Sequence, residues 1–505
     1  MVKVPRTTGI SRLPAAALAF VVCVKLSCQV EIAAAQTAEN VIDTLLIRSI
    51  TQFLSHDSLR GRATGSPGAG VAAAYIASTC ATLGLAPVDD RFLHPVPLAR
   101  AAFDPRQTRV TLSNNEEEHT FEVTRDFLPT GALPSTLTGF AGPAVFVGEQ
   151  DDILSGLAGD LTGKVAVTSA PLLRAAAGDT LRQRGVVGIV NLIRDDATRQ
   201  YVEWLRGTRP LYLQSAAKSS FFPSLPTVAA WPELSEALRD LSRLTSPGSL
   251  PWDLNLAVTV ETGFTSQGVT SHNVACLLRG SDPEARDSAI VLTAHLDHLG
   301  VRRPDETGDS IFNGFSDNAA GVAMLLATAK ALASREERLR HSVLFLFFTG
   351  EEKGLLGSDH FVADPLWPLE EILGVINLDA GAPPAPPNTW EIAGGEGSAF
   401  GRLAGEVAGT RGWTIRNSHA RPNSDYYPFW RRGVPAIFII PGQGPYDGLS
   451  LEDSQALRTR WDRYHRAGDE WSAAFPFHGV ARYAAFAYLI AEALDGRGLP
   501  AFDRR

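Results

Sequence analysis

The sequence predicts an α/β protein, a three-layer sandwich with a mainly parallel central sheet, carrying a second and mostly β unit inserted into it. Three observations lead there. From about residue 266 onward, short and almost wholly apolar segments alternate with helical ones, the pattern of strands buried on both faces between helices. Residues 128–262 differ in texture, with short β runs, turn residues and a single clear helix. Histidine, aspartate and glutamate recur where the apolar strands end, and in such sheets function collects just beyond strand carboxyl ends.

Taken in order, the chain opens with Lys3, Arg6 and Arg12 before the apolar run LPAAALAFVVCV. That run is short of the roughly 20 residues a membrane-spanning helix needs. Ala33-Ala34-Ala35 supplies an A-x-A cleavage site before Gln36, so residues 1–35 read as a secretory signal peptide and the mature chain as secreted or periplasmic. Lys25 stands where a lipobox wants an aliphatic residue ahead of Cys28, which argues against a lipoprotein. AENVIDTLLIRSITQFL follows with helical spacing at Val41, Leu45, Ile50 and Leu54. The Gly-rich stretch LRGRATGSPGAG then leads into an Ala-rich helix that ends near Gly84.

Within 128–262, GPAVFVG and GKVAVTSA read as strands, and AAGDTLRQRGVVGIVNLI as a helix feeding a strand at Val186–Leu192. The α/β unit is therefore expected from 36–127 and 263–505. Its expected strands include SAIVLTA, SVLFLFF, EILGVINLDA and VPAIFII, and its helices GVAMLLATAKAL and VARYAAFAYLIAEAL. With 505 residues and 45% hydrophobic content the chain can bury more than one core, and a net charge of −9 argues against general affinity for nucleic acid or anionic membranes. Once the leader is removed, only Cys80 and Cys276 remain, too few for a cysteine zinc site. One bridge or two buried thiols are both open.

The strand ends hold the chemistry. TAHLDHLG carries His295 and Asp297, FSDNAAG carries Asp317 ahead of a helix, FFTGEE ends in Glu351 and Glu352, INLDAG ends in Asp379, and WDRYHRAGDE carries His465. Singly each has a plain reading: Asp317 as a helix N-cap, the glutamates as solvated surface, the histidines as structural. Jointly, several carboxylates converging on one crevice would be costly without a cation. Two imidazoles and three carboxylates form a donor set suited to zinc.

The motifs NVACLLRGSDP, TAHLDHLG, FNGFSDNAAGVAMLL, FFTGEEKGLLGSDHF, INLDAG, SDYYPFWRRGVPAIF and YHRAGDE resemble the M28 zinc peptidases, over roughly 55–90 and 270–495. The 128–262 segment resembles a protease-associated (PA) domain. The resemblance implies a zinc-exopeptidase-like fold with two zinc ions per chain bridged by Asp317. His295 and Asp379 would complete one ion, and Glu352 and His465 the other. It further implies that Asp297 accepts the second N–H of His295, that Glu351 is the general base, and that the Asp317–Asn318 peptide is cis. The expected reaction is hydrolysis of N-terminal residues from peptides, with no nucleic-acid partner and no membrane once the leader is gone.

Tyr426, Tyr427 and Tyr446 are candidate donors to the oxyanion, though wall or packing roles are the plainer reading for each. His298 and His360 read as structural. Glutaminyl cyclase-like or carboxypeptidase activity on the same fold, and a non-catalytic binding protein that has lost its metals, are the competing readings.

Overall fold

In the computed structural model, residues 39–170, 172–206, 210–214, 218–241 and 249–497 are described; the leader expected at 1–35 lies outside them. The apolar runs form strands that are mostly buried, wholly so at Ala289–His295 and Ser342–Phe348. β1 (Leu93–Phe103), β2 (Leu211–Leu213), β3 (Phe264–Leu278), β4 (Ala289–His295), β5 (Ser342–Phe348), β6 (Ile372–Leu378), β7 (Thr389–Ala393), β8 (Thr414–Ser418) and β9 (Ala436–Pro441) lie in one sheet in the order β8-β7-β9-β6-β4-β5-β3-β1-β2, with the short strand Ala86–Pro87 beside β3.

The side chains of β4 and β5 alternate between two cores. Ile290, Leu292, Val343, Phe345 and Phe347 pack with helices Ala320–Ala333 and His478–Arg497. Val291, Leu344, Leu346 and Phe348 pack on the opposite face with helices Leu356–Ala363 and Tyr426–Arg431. A strand covered on both faces leaves few positions for polar residues, which is why these segments read as nearly unbroken apolar runs.

The sheet is mixed rather than mainly parallel. The run β9-β6-β4-β5 is parallel, whereas β3, β1 and β2 add on antiparallel beyond β5. The first half of β3, Phe264–Thr270, is largely exposed, and a strand with a free face needs no helical crossover. Cys80, on the helix Pro67–Thr82, forms a disulfide with Cys276 of β3, the alternative that sequence spacing left open.

A second sheet of eight strands uses residues 109–122, 127–129, 140–146, 165–168, 188–192, 227–230 and 252–261. It starts ahead of residue 128, while Leu211–Leu213, inside the 128–262 range, joins the first sheet as β2. Polar contacts fasten its segment to the first unit: the Ser220 N–H donates to Asp359 at 2.8 Å, and Arg431 pairs with Asp179 at 2.9 Å and donates to Ser219 O at 2.9 Å. Among the described residues no helix is long and apolar enough to cross a membrane.

Candidate metal centre and active site

Each functional side chain arrives from the end of a different element. His295 is the last residue of β4, and Asp379 follows β6. Asp317 sits in the turn Phe315–Ala319 before the helix Ala320–Ala333, and the Asp317–Asn318 peptide is cis. The N-cap reading of Asp317 does not hold. Asn318 takes that task instead, its Oδ1 accepting from Gly321 N–H at 2.9 Å while its Nδ2 donates to Leu378 O at 3.0 Å. The Asp317 carboxylate is left to face the histidines.

The glutamate pair follows β5 through Gly350, whose φ of 74° lets the chain fold back as the 3-10 turn Glu351–Lys353. Glu352 is thereby 3% exposed. His465 comes from the loop after the helix Leu451–Trp461, at φ 55°.

These groups meet. His295 Nε2 lies 2.8 Å from Asp379 Oδ1 and 3.1 Å from Asp317 Oδ1. On the other side of Asp317, Oδ2 is 3.0 Å from His465 Nε2 and 3.6 Å from His298 Nδ1. Glu352 Oε1 is 2.6 Å from His298 Nδ1, and its Oε2 is 3.5 Å from His465 Nε2. Asp317 thus divides its two oxygens between two donor groups: His295, Asp317 and Asp379, and His298, Asp317 and Glu352, each able to converge on one ion. Residues 273–485, which hold every one of these side chains, match the model of peptidase family M28.

Over that segment the chain is similar to the M28 peptidases.

It is 29% identical over 221 residues to the probable leucine aminopeptidase 2 of Aspergillus oryzae, covering 40% of each chain. It is 30% identical over 215 residues to the probable leucine aminopeptidase 2 of Aspergillus fumigatus, again 40% of each. The match therefore spans about two fifths of the length of these curated relatives. The aminopeptidase from Aneurinibacillus sp. strain AM-1 shares the fold at a TM-score of 0.52 and 18% identity, over 91% of this chain and 96% of that one.

Does this M28-like donor set fit a metal? Asp317, Glu352 and Asp379 are crowded and mostly buried, with two imidazoles directed at them. Like charges at this spacing persist only with compensation. Burial would depress His465, but Asp317 and Glu352 overcome it and drive the ring up to about 9. Burial and the neighbouring Asp317 would raise Glu352, yet His298 and His465 bring it down to about 2. Burial raises Asp379, but the histidines hold Asp317 and Glu352 below the ordinary carboxylate range against their burial, and the nitrogen–oxygen set suits zinc.

The supports are as ordered as the ligands. The second oxygen of Asp379 accepts from Ser424 Oγ. Ser424 Oγ accepts from Asn377 Nδ2 at 2.7 Å, and Asn377 Oδ1 accepts from Thr293 Oγ1 at 2.6 Å. With its one proton given to Asp379, the Ser424 hydroxyl accepts from the Asn377 amide, which turns the amide oxygen towards Thr293.

Asp297 differs from its expected part. His295 Nδ1 lies 3.0 Å from the backbone oxygen of Asp297 and 3.9 Å from its carboxylate. The carboxylate is already taken, accepting from Thr64 Oγ1 at 2.6 Å and from Glu351 N–H at 3.3 Å.

Burial pushes Glu351 well above the ordinary glutamate range, with Asp379, Glu352 and Asp425 adding to the shift. It belongs to neither donor group and faces a cavity of about 460 Å³ whose floor includes His295, Asp317 and Asp379. Pro383, Pro384, Phe438, Ile440, Trp461 and Tyr464 contribute to its walls.

Two residues near the site were missed by sequence reasoning. His298, read as structural, is fully buried against Glu352; its spacing of three from His295, past a strand end, was the available signal. Tyr464 stacks on His465 with ring centroids 3.7 Å apart and lines the cavity. The residue is 64% exposed, and an ordinary phenol is protonated near neutral pH. Of the tyrosines expected near the oxyanion, Tyr446 lines the cavity. Tyr426 instead accepts from Arg421 N–H at 2.7 Å, and Tyr427 stacks on Trp430. His360 lies on the helix Leu356–Ala363, outside both donor groups.

Proposed function

We propose that this protein is a secreted two-zinc aminopeptidase that removes N-terminal residues from peptides. The observation that carries the reading is the division of Asp317 between two donor groups at the floor of one cavity, with Glu351 beside them and outside both. His295 and Asp379 would hold one ion, Glu352 with His465 the other, and Asp317 both. Ions held there would supply Lewis acidity, making water more acidic and drawing electron density from a carbonyl.

The protein's own groups do the rest. Glu351 takes a proton from the attacking water and returns it to the leaving amine, a task that favours a carboxyl whose affinity for protons lies above the usual range. Tyr464, kept protonated, can donate to the carbonyl oxygen as charge develops there. The apolar wall of Phe438 and Ile440 suits an aliphatic or aromatic N-terminal side chain. In this reading residues 1–35 direct export, and the second sheet is a PA-like insert.

The experiment is to measure zinc content and the release of free amino acids from unblocked and N-acetylated peptides, before and after chelation. Two zinc ions per chain, with release from unblocked peptides only and lost on chelation, is the expected result. Cleavage of the acetylated peptides at the same rate, or activity that survives complete metal removal, would overturn it.

A further inference from the structure

The Gly-rich stretch ahead of the helix Pro67–Thr82 lies more than two hundred residues upstream of the matched segment 273–485, and neither the donor groups nor the cavity contains any of it. It is nonetheless built into the metal centre. Arg60, Gly61 and Arg62 adopt φ of 49°, 66° and 47° in succession, a run of left-handed backbone that costs free energy at the two arginines and persists only where the surroundings impose it. A Cβ on Gly61 would lie 2.3 Å from Phe312 O and 2.8 Å from Gly300 Cα, so this turn is seated tightly on the loop between β4 and Asp317.

That backbone delivers two side chains. Arg62, 1% exposed, spreads its guanidinium over four carbonyl oxygens. Nε donates to Leu296 O at 3.0 Å, Nη2 to Gly314 O at 3.0 Å, and Nη1 to Asn313 O at 2.6 Å and to Leu54 O. Leu296 is next to His295, and Asn313 and Gly314 begin the turn that presents Asp317. The Arg62 carbonyl in turn accepts from His298 N–H at 3.1 Å. Two residues on, Thr64 Oγ1 donates to Asp297 Oδ2 at 2.6 Å, and Asp297 Oδ1 accepts from Glu351 N–H at 3.3 Å.

We infer that residues 60–64 form a strap that positions the centre: Arg62 sets the spacing of the His295, His298 and Asp317 backbones, and Thr64, through Asp297, holds the turn that carries Glu351. Both are positioning residues, since neither is among the donor residues. A planar fork matched to several carbonyls is what lysine cannot reproduce, its ammonium being a compact point charge. A threonine hydroxyl that fixes a carboxylate is lost in valine at constant shape and kept in serine. The assignment deepens the two-zinc reading and rests on it for the catalytic arm alone.

The test compares Arg62→Lys, Thr64→Val and Thr64→Ser with the wild type in the full chain. Zinc dissociation constants come from competition with a chromogenic chelator, and kcat and KM from hydrolysis of leucine amide. Arg62→Lys is expected to weaken zinc binding about 10–100-fold, the range for losing a group that orients metal ligands. Thr64→Val is expected to lower kcat at least tenfold with KM and zinc affinity little changed, and Thr64→Ser to restore kcat. Wild-type zinc affinity in a folded Arg62→Lys, or wild-type kcat in a folded Thr64→Val, overturns the corresponding half. If Arg62→Lys does not fold, the threonine pair still decides the link to Glu351. If the wild type does not hydrolyse leucine amide, the peptidase reading fails while the zinc measurements still judge the strap.

Discussion

The two sheets each contain a parallel run of four strands, β9-β6-β4-β5 in the first and Phe140–Phe146, Val165–Thr168, Gly188–Leu192 and Thr227–Ala230 in the second. Both place polar residues at or near strand ends, but they use them differently. In the second sheet Thr168 donates to Gly148 O at 2.7 Å, and Asn191 bonds both Leu173 N–H and Ala170 O. These groups are neutral, and local backbone satisfies them. In the first sheet the strand ends offer ionisable groups, and the partners of His295 and Asp317 include one another, Asp379, His298 and His465. A strand end is a place where a site can be built; the residues there decide whether one exists.

The largest expected effect that would break this contrast is at Glu351. Glu351→Gln keeps the shape and removes the proton acceptor, so kcat should fall by about 10³-fold while zinc content stays at the wild-type level. Unchanged turnover would place the proton transfer elsewhere. Next is His298→Ala, which strips the hydrogen bond from Glu352 and is expected to weaken zinc binding about 10–100-fold, read by chelator competition.

In the second sheet, Asn191→Leu should leave zinc affinity and kcat untouched. It strands the Leu173 N–H and Ala170 O, however, and should cost about 1–3 kcal/mol of stability by denaturant titration. A change in kcat there would show that the second sheet shares in the chemistry.

The smallest effect concerns the junction. Burial raises Asp359 to about 7, above its value in an unfolded chain, so its proton stabilises the fold fully below about pH 4. That contribution is lost as pH rises through 7. Asp359→Asn keeps an acceptor for Ser220 N–H and cannot ionise, so melting temperatures should be nearly equal at pH 4, with the variant gaining on the wild type towards pH 8. Parallel curves over that range would show that Asp359 does not carry a buried proton.

Sequence reading failed where partners are distant in the chain. Thr64 meets Asp297, Arg62 meets Gly314, and Cys80 meets Cys276, and no local pattern encodes any of these pairs. The mixed character of the sheet was hidden for a related reason: β3 is apolar where β5 covers it and polar where it extends past, so its composition shows burial but not direction.

What the sequence determined by itself was the alternation of buried strands with helices, and the placing of His295, Asp317, the Glu351–Glu352 pair and Asp379 at their ends. Strand and helix periods are local, and the short length of the apolar runs between turn residues marks them as strands. Only the tertiary structure decided how those ends face one another. It turned Asp317 from a helix cap into a carboxylate shared by two groups, brought His298 onto Glu352, gave the Asp297 carboxylate to Thr64 and Glu351, and made a Gly-rich loop into a strap. Those outcomes depend on distances between segments far apart in the chain, which folding sets and residue order does not display.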